Sequence, residues 1–460
     1  MPTISIVRYN AVGDGLNDNS LAFRDAFSAV KASGGGTVVI PPGIWMTGPI
    51  EIPSHCTVEL EKDAVLRFIP QFERYTAIWT RWEGVECYAM HPCIFARDAV
   101  DITICGEGTV DGNGSFWWTY RKTVKSRKDR GPTSELEQSF ARLNPNYREQ
   151  PGGGGGRNSQ FLAPPLIQFL RCTDVVMKDI TVMNSPFWTI HPVYTDNIRI
   201  ERVSVLNPYE APNTDGIDID SCSRVYIADC YIDVGDDAIA LKSGSGYDGL
   251  SVAKSTRNVM IERCTVKRAH GGIVIGSETA GGVYNVTATD CMFECTDRGI
   301  RIKTRRGRGG LIRNLAFSNC TMIDNLCPIA VNMYYHCGIL EHEKARAFSL
   351  DKQRVEHDTP MIENIVVRGV KATGSKASAG FFAGLPEAPI QNLVVENCHL
   401  GCDMSSTVDA DESEMYEGLP KGRSKNVRIR NCSNAAFRSV AVDGPEEPFT
   451  IEDAIRIVIE

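Results

Sequence analysis

NVMIERC, at residues 258–264, is one copy of a phrase that recurs along the chain. The phrase reads Asn, apolar, any, apolar, any, any, and then Cys or an aliphatic residue. Its other close copies are NVTATDC at 285–291, NLAFSNC at 314–320, NLVVENC at 392–398 and NVRIRNC at 426–432, and looser copies begin at positions 174, 197, 224 and 364. Each copy alternates apolar and polar residues and ends in turn-prone sequence, which is typical of a short strand.

The spacing of the copies indicates how these strands are arranged. Successive copies lie 23 to 34 residues apart, except for an interval of 50 between Leu315 and Ile365. Such a repeat without helical or leucine-rich signatures predicts coils of short strands stacked in parallel, about 4.8 Å apart. An antiparallel sandwich or a propeller is the alternative, but it needs two-residue hairpin turns, and few are visible. We therefore predict an all-β fold with one domain over residues 1–460.

The cysteines follow the same repeat. The chain has 16 in 460 residues, far below the density of small disulfide-stapled domains. Those that end copies of the phrase are Cys230, Cys264, Cys291, Cys320, Cys398 and Cys432. We predict that these side chains stack inside the coil as small apolar groups, with disulfides or metal ligation as alternatives.

The composition excludes several partners. Lys and Arg number 49 against 57 Asp and Glu, a net charge of -8, so no basic field attracts nucleic acid or an anionic membrane. No run is apolar enough to span a bilayer, and the first ten residues do not form an export signal. We predict a cytoplasmic chain as given, or a secreted or periplasmic one where a leader has been removed. The sequence does not indicate an oligomeric state.

Three segments depart from the strand pattern. Residues 20–33 have apolar residues at helical spacing, with Asn19 or Ser20 as N-cap and Gly34 as stop, which predicts a helix that covers the end of the coil within an N-terminal cap of about residues 1–50. Residues 119–162 predict a long loop beside the coil or a disordered insertion. Residues 338–360 predict a second, charged loop.

Four polar clusters interrupt the repeat and carry the functional prediction: Asn213-Thr214-Asp215, Asp236-Asp237, His270-Gly271-Gly272 and Arg301-Ile302-Lys303. Counted from the start of their repeats, they fall on roughly the same side of four successive coils. Several carboxyl groups on one groove suit glycoside hydrolysis, where one carboxyl protonates the leaving oxygen and another activates water. The two cations would bind a carboxylate on the sugar. We predict an acidic polysaccharide or oligosaccharide as substrate, with no metal and no cofactor.

The motifs NTDGIDIDSC, GDDAIALKSG, AHGGIVIGSE and GIRIKT, in this order, closely resemble the polygalacturonases of glycoside hydrolase family 28, and GEGTVDGNGSFWW and NSPFWTIHP add to the resemblance over roughly residues 10–440. It implies a right-handed parallel β-helix and cleavage of α-1,4-galacturonosyl linkages with inversion. It also implies roles for single residues, carried over motif by motif. Asp236 would be the general acid, Asp215 and Asp237 would position and deprotonate water, and His270 would tune the acid. The expected substrate ligands are Asn213, Arg301, Lys303 and Tyr335.

Some features stay open at this stage. Ala269 stands where the family has the first glycine of a GHG motif, which puts the local backbone in question. The continuations GSETAGGV and RGRGG look closer to the exo-acting bacterial branch, and we expect a groove partly closed at one end. One of Arg305, Arg306 and Arg308 is expected to reach the substrate, while the others form a solvated turn. The tryptophans at 117, 118 and 188 either stack on sugars or pack internally.

The alternative functions are testable. A rhamnogalacturonan or substituted galacturonan is the alternative substrate. A pectate lyase would share the fold but would need calcium and an arginine base. A non-catalytic carbohydrate-binding β-helix would not need both members of Asp236-Asp237. The carboxylates in DGIDID, Asp215, Asp218 and Asp220, admit a calcium site, although strand alternation separates Asp215 from the other two.

Overall fold

A computed structural model describes residues 1–128, 130–154, 156–412 and 414–460. The chain divides into two compact units. Unit 1 contains residues 1–82, 86–149 and 155–236, and unit 2 contains residues 83–85, 150–154 and 237–460. The single domain over 1–460 stays a prediction.

The strands up to residue 236 are β1 (Thr3–Ser5), β2 (Asp14–Asp18), β3 (Gly36–Ile40), β4 (Gly43–Thr47), β5 (Ile50–Glu51), β6 (Cys56–Leu60), β7 (Ala64–Phe68), β8 (Ala77–Trp82), β9 (Val85–Met90), β10 (Ile94–Arg97), β11 (Val100–Gly106), β12 (Thr109–Asp111), β13 (Ile167–Leu170), β14 (Thr173–Lys178), β15 (Thr181–Met183), β16 (Ile190–Val193), β17 (Asp196–Glu201), β18 (Ser204–Leu206), β19 (Ile217–Asp220), β20 (Ser223–Ala228) and β21 (Tyr231–Asp233).

The strands from residue 237 are β22 (Asp237–Lys242), β23 (Thr256–Glu262), β24 (Thr265–Val266), β25 (Gly271–Gly276), β26 (Val283–Thr289), β27 (Met292–Glu294), β28 (Arg298–Lys303), β29 (Leu311–Ser318), β30 (Thr321–Ile323), β31 (Cys327–Asn332), β32 (Met361–Arg368), β33 (Lys371–Ser375), β34 (Gly380–Ala383), β35 (Ile390–Cys402), β36 (Val427–Arg430), β37 (Cys432–Asp443), β38 (Phe449–Glu452) and β39 (Ile455–Ile459). The α-helices are α1 (Ser20–Ala32), α2 (Ser115–Ser126), α3 (Glu135–Leu143), α4 (Gly246–Val252) and α5 (Lys344–Ala347).

Parallel pairing between successive coils builds unit 1. One stack runs β1, β3, β6, β11, β14, β17, β20, a second runs β2, β4, β7, β12, β15, β18, β21, and a third runs β5, β10, β13, β16, β19. The register places like positions of the repeat side by side, so that Ile102 pairs with Val175, Val175 with Ile198 and Ile198 with Val225. All four side chains are buried. The apolar positions of the phrase therefore form the core.

Unit 2 repeats this arrangement. Its stacks run β23, β26, β29, β32, β35, β37, β39, then β24, β27, β30, β33 and the second half of β35, and then β22, β25, β28, β31, β34, β36, β38. Crossovers between parallel strands are almost always right-handed. The predicted fold class, a right-handed parallel β-helix, is confirmed.

The asparagines that begin the repeat form a ladder in unit 2. The side-chain amide of Asn285 donates to Asn258 at 3.0 Å, Asn314 to Asn285 at 3.1 Å, Asn364 to Asn314 at 3.1 Å and Asn392 to Asn364 at 2.9 Å. All five have φ between 54° and 59°, the left-handed region that Asn tolerates better than most residues. One residue type thus supplies both the bend and a hydrogen bond between coils.

The last close copy of the phrase does not join the stack formed by the other close copies. Val427–Arg430 forms β36, which pairs with β34 and not with the strands of the ladder. Asn434 takes the next ladder position instead, with a φ of 56° and its amide 3.5 Å from the Oδ1 atom of Asn392.

The repeat cysteines are buried, as predicted. Every one of the six lies between 1% and 3% exposed, and all 16 cysteines of the chain are free thiols. They act as small core side chains.

The capping helix is confirmed. Helix α1 begins at Ser20, and Gly34 follows it with a φ of 75°. Asn19 is at the N-cap position, but its side chain makes no cap bond. Its amide instead donates to the carbonyls of Val12, Asn17 and Met46, and so fixes the segment that precedes the helix.

The segment at 119–162 is more ordered than predicted. Helix α2 extends into it, and α3 lies wholly within it. The Ser134 hydroxyl and the Glu137 carboxylate form a capping box at the start of α3. Trp117 and Trp188 are buried, which favours internal packing over sugar stacking. In the 338–360 segment, a short 3-10 helix at 341–343 precedes α5. Within the described residues no helix has the length and apolarity to cross a membrane.

Candidate active site

The first polar cluster lies at the start of β19 in unit 1. Backbone hydrogen bonds fix this segment, since the amide of Thr189 donates to the carbonyl of Asp215 at 2.9 Å. The Thr214 hydroxyl donates to the carbonyl of Ala211, also at 2.9 Å. Asn213 has a φ of 56°, and its buried Oδ1 atom has no protein partner among the described residues. The hydrogen-bonding capacity of this oxygen is therefore unused within the described residues.

Asp215 and Asp236 lie together in unit 1. Their nearest carboxylate oxygens are within 4.8 Å of each other. Asp215 is 3% exposed, whereas Asp236 is partly exposed. Two carboxylates at this distance repel each other when both are ionised, which favours a proton on one of them. The pair therefore combines a buried acid with one that solvent and substrate can reach.

Asp237 begins β22 and is buried in unit 2 between two cations. Its carboxylate lies 2.5 Å from the Nζ atom of Lys303 and 3.3 Å from the Nη1 atom of Arg301. Burial acts to lower the pKa of Arg301, but the charges of Asp237, Tyr335, Asp297 and Glu414 together raise it. These contacts stabilise Asp237 as a carboxylate.

The strand register shows how the cations reach Asp237. Gly271 pairs with Asp237, while Arg301 pairs with Val274 and Lys303 with Gly276. Arg301 and Lys303 thus lie three and five residues further along the strand direction than the position level with Asp237. Their long side chains span this offset. His270 directly precedes β25, and its carbonyl accepts a hydrogen bond from Arg298 at 3.2 Å.

Tyr335 rather than Tyr334 lies beside these cations. The Tyr335 ring is 5.5 Å from the guanidinium carbon of Arg301 and 5.3 Å from the ammonium of Lys303. The Tyr334 ring packs over Arg306 at 6.0 Å. Of the two adjacent tyrosines, the one chosen from sequence is the one that contacts the expected ligands.

A charged cluster that the sequence did not reveal surrounds these groups in unit 2. Its members are Asp237, Lys242, Glu278, Arg301, Lys303, Arg305 and Arg308, all 5% exposed or less. Glu278 accepts from Lys242 at 3.2 Å and lies 3.6 Å from Arg308. Burial acts to raise the pKa of Glu278, but the charges of Lys242, Arg308 and Lys303 together lower it. The one sequence signal for Glu278 was its place in GSE at 276–278, at the end of the AHGGIVIGSE motif.

The prediction that two of Arg305, Arg306 and Arg308 form a solvated turn is wrong. All three side chains are buried. Arg306 makes two hydrogen bonds to the carboxylate of Glu387, at 2.6 and 2.9 Å, and Arg308 donates to the carbonyls of Gly152 and Cys337. These arginines bind carbonyls of distant loops, so they hold loops together instead of facing water.

Glycines allow three of these loops to meet in unit 2. A Cβ atom on Gly152 would lie 2.6 Å from the carbonyl oxygen of Gly338, and one on Gly84 would lie 2.7 Å from Cγ of Glu278. The amide of Ser245 donates to the carbonyl of Gly84 at 2.9 Å. The 83–85 segment, the 150–154 segment and the 338 loop thus form one closely packed junction against Glu278 and Arg308, which we name the glycine junction.

The calcium interpretation of DGIDID is not favoured. Asp220 is fully buried in unit 1, where its carboxylate accepts from Arg81 at 2.8 Å, and Arg81 also donates to Ser221. A carboxylate held by an arginine is a poor calcium ligand. Among the described residues Asp215 groups with Asp236, and not with Asp218 or Asp220, as a potential ligand, so the motif does not form one calcium site.

The arrangement defines a β-helical glycoside hydrolase, and comparisons with known proteins agree. The model of the glycosyl hydrolases family 28 matches residues 151–415. A probable polygalacturonase of Vitis vinifera is 30% identical over 403 residues, which cover 85% of this chain and 73% of that protein. An endo-polygalacturonase of Pectobacterium carotovorum subsp. carotovorum is 28% identical, with 67% and 68% covered.

Solved structures give the same result. The hyperthermoactive exopolygalacturonase of Thermotoga maritima superposes with a TM-score of 0.76 at 25% identity, covering 100% of this chain and 92% of that one. The family 28 exopolygalacturonase of Yersinia enterocolitica shares the fold with a TM-score of 0.74 at 19% identity, covering 99% and 78%. The chain belongs to glycosyl hydrolases family 28.

Proposed function

We propose that the chain hydrolyses α-1,4-galacturonosyl linkages in pectic poly- or oligogalacturonides with inversion and removes single units from chain ends. The observation that carries this proposal is the contrast among the acids. Asp215 and Asp236 lie within 4.8 Å of each other, while Asp237, next in the chain, is bound by two cations. Related polygalacturonases and the family assignment support the substrate.

The acids divide the chemistry by environment. Asp236 is partly exposed, and the negative charge of its neighbour Asp215 favours keeping a proton on it. Asp236 donates this proton to the leaving oxygen. Asp237 remains ionised, and together with Asp215 it orients water and removes its proton. His270 tunes the acid, as the family resemblance implies.

The family resemblance implies inversion, and the way in which Asp237 is held supports a role in orienting water. Carboxyl groups as close as Asp215 and Asp236 are more usual in retaining enzymes, where one of them attacks the sugar. A carboxylate bound by both Lys303 and Arg301 is a weak nucleophile, however, and is better suited to orient water. The anomer first formed, followed by proton NMR, decides between the two: the β-anomer supports inversion, and the α-anomer contradicts it.

Arg301 and Lys303 are proposed to bind the carboxylate of the sugar. Both are held in place by Asp237, so little side-chain entropy is lost when the substrate binds. The Tyr335 ring would lie against the same sugar, and Asn213 would hydrogen-bond the sugar, as the family resemblance implies.

Exo action is supported by the glycine junction. Arg308 ties the 150–154 segment to the 337–338 segment, and Glu278 connects the junction to Lys242, so its backbone is held close to Lys303. A rigid wall this close to the substrate cations would block one end of a sugar chain.

Product sizes test the substrate and the mode of action together. The chain should release galacturonate monomer from polygalacturonate at the earliest time points and should leave a rhamnogalacturonan backbone uncut. An early mixture of oligomers without monomer contradicts exo action. Cleavage of rhamnogalacturonan alone contradicts the proposed linkage, and an unsaturated product absorbing in the ultraviolet indicates a lyase.

We also propose that the chain works in a reducing compartment. Its 16 cysteines are all free, and a protein exposed to oxidising conditions usually pairs some of them. Fractionation of the producing cell tests this proposal, since activity confined to the medium contradicts it.

A further inference from the structure

Arg305 is the member of the charged cluster with the weakest ionic pairing. Its side chain is 4% exposed, and its guanidinium donates to the carbonyls of Cys337 at 3.1 Å and Gly338 at 3.2 Å. Among the residues that the structure describes, its one ion pair is with Glu343, at 3.9 Å. Glu343 is itself 36% exposed, so water screens this pair.

The neighbouring arginine shows what full pairing looks like at this site. Arg306 is as buried as Arg305, yet it makes two short hydrogen bonds to Glu387 and three more to the carbonyls of Arg346, Ala347 and Ser349. A buried charge is unfavourable unless it is paired and hydrogen-bonded. The buried charge of Arg305 is therefore not fully compensated by its protein partners.

The surroundings of Arg305 add to this imbalance. Burial and the charge of Arg308 lower the pKa of Arg305 to about 9, because Glu343, Tyr335 and Glu278 compensate only in part. An incoming anion would relieve both effects. A guanidinium whose donors are preorganised by two carbonyls is well suited to a carboxylate.

Arg305 also lies at a suitable distance from the proposed sugar site. It follows Lys303 by two residues, and the intervening Thr304 is tied through its carbonyl to the amide of Tyr335 at 3.2 Å. Two residues of extended chain span about 7 Å, which places Arg305 within reach of a sugar adjacent to the one at Lys303. A carboxylate at Arg305 would then belong to the sugar next to the one bound by Lys303 and Arg301.

We propose that Arg305 binds the carboxylate of a second, adjacent uronate, so that the site selects two consecutive uronates over a uronate joined to a neutral or esterified sugar. This inference rests on the proposed function. Glu343 is the internal anion nearest to Arg305 in the absence of substrate, and the substrate carboxylate replaces it as the partner of Arg305.

The test uses digalacturonate and its two monomethyl esters, each of which has lost one carboxylate. In the unmodified enzyme, each ester should show kcat/KM lower by about ten- to a hundredfold, because a hydrogen-bonded charge is lost. In Arg305→Gln, the loss in kcat/KM should disappear for the ester that lacks the carboxylate bound by Arg305. The loss should persist for the other ester, which lacks the carboxylate bound by Arg301 and Lys303. Unchanged penalties for both esters would overturn the inference.

Two further variants keep the test decisive. Glu343→Gln removes the competing anion while its amide oxygen can still accept from the Leu340 amide, so KM for digalacturonate should fall by about two- to fivefold. An unchanged or higher KM counts against the inference. Arg306→Gln is the matched control: it should lower the melting temperature but leave both ester penalties as they were. If the unmodified enzyme does not cleave digalacturonate at all, the proposed function fails instead.

Discussion

Unit 2 carries two sets of polar side chains that differ in kind, the asparagine ladder and the charged cluster. In the ladder, one residue type recurs from coil to coil, and each amide is satisfied by the amide of the next coil. In the charged cluster the side chains differ from coil to coil and are buried, so each charge depends on particular partners. Repetition of one residue provides stability, whereas differences between coils provide chemistry.

The largest expected effect lies in the charged cluster. Asp237→Asn keeps the shape of the side chain but removes the anion that holds Lys303 and Arg301, and it removes a proposed base. We expect kcat/KM on polygalacturonate to fall by about a thousandfold, measured by reducing-end release. Circular dichroism should show a folded protein. Activity within tenfold of the unmodified enzyme would refute a catalytic role for Asp237.

The stability contributed by the charged cluster should depend on pH, whereas that contributed by the asparagine ladder should not. The folded-state pKa of Glu278 is lowered from its usual 4.5, so its stabilising contribution is present above about pH 4.5 and is lost as the pH falls below that value. We expect Glu278→Gln to lower stability at pH 7 by about 3 kcal/mol and to lessen the loss on acidification. Melting temperatures between pH 3 and 7 check this, and parallel curves for the two proteins would contradict it.

In the ladder, the expected effect is smaller and does not depend on titration. Asn314→Ala loses a hydrogen bond on each side and places alanine, which tolerates the left-handed region less well than asparagine, at a φ of 55°. We expect the free energy of unfolding to fall by about 2 kcal/mol, measured by urea denaturation. The kcat of the folded protein should be unchanged, and a lower kcat would argue against a purely structural ladder.

Asn314→Gly gives the smallest effect and separates the two contributions. Glycine accepts the left-handed backbone but makes no side-chain hydrogen bond, so the loss should be about 1 kcal/mol. A loss as large as that of the alanine variant would show that the hydrogen bonds, and not the backbone, account for the whole effect.

The sequence predicted the repetitive features of the fold well, because period, burial and strand pairing come from the same pattern. The core row of Val259, Val286 and Leu315 lies in register as the spacing indicates. The ladder was not predicted, since nothing in the phrase states that its Asn has a positive φ. The copy that begins at Asn426 shows the limit of the pattern, because it matches the phrase but forms β36, which pairs with β34 and not with the strands of the ladder.

The helices at 115–126 and 135–143 were missed although local signals existed. Trp117, Arg121 and Val124 are buried at helical spacing in α2, and Ser134 with Glu137 forms the capping box of α3. A glycine-rich, polar context outweighed these signals in the interpretation of the segment.

The site was predicted residue by residue only where a motif existed. Arg301 and Lys303 both contact Asp237, and Tyr335 lies beside the two cations. The pairing of Arg306 with Glu387 joins residues 81 positions apart, and that of Arg308 with Gly152 joins residues 156 apart. Such contacts depend on how long loops pack, which local sequence does not encode, so the predicted solvated turn was wrong.

The central claim is that Asp236 gives its proton to the leaving oxygen. Comparison of Asp236→Asn on digalacturonate and on an aryl galacturonide with a good leaving group, which needs no protonation, tests it most directly. We expect kcat on digalacturonate to fall by at least about a thousandfold, with a much smaller fall on the aryl substrate. Near-normal turnover of digalacturonate, or equal losses on both substrates, would contradict the assignment of Asp236 as the acid.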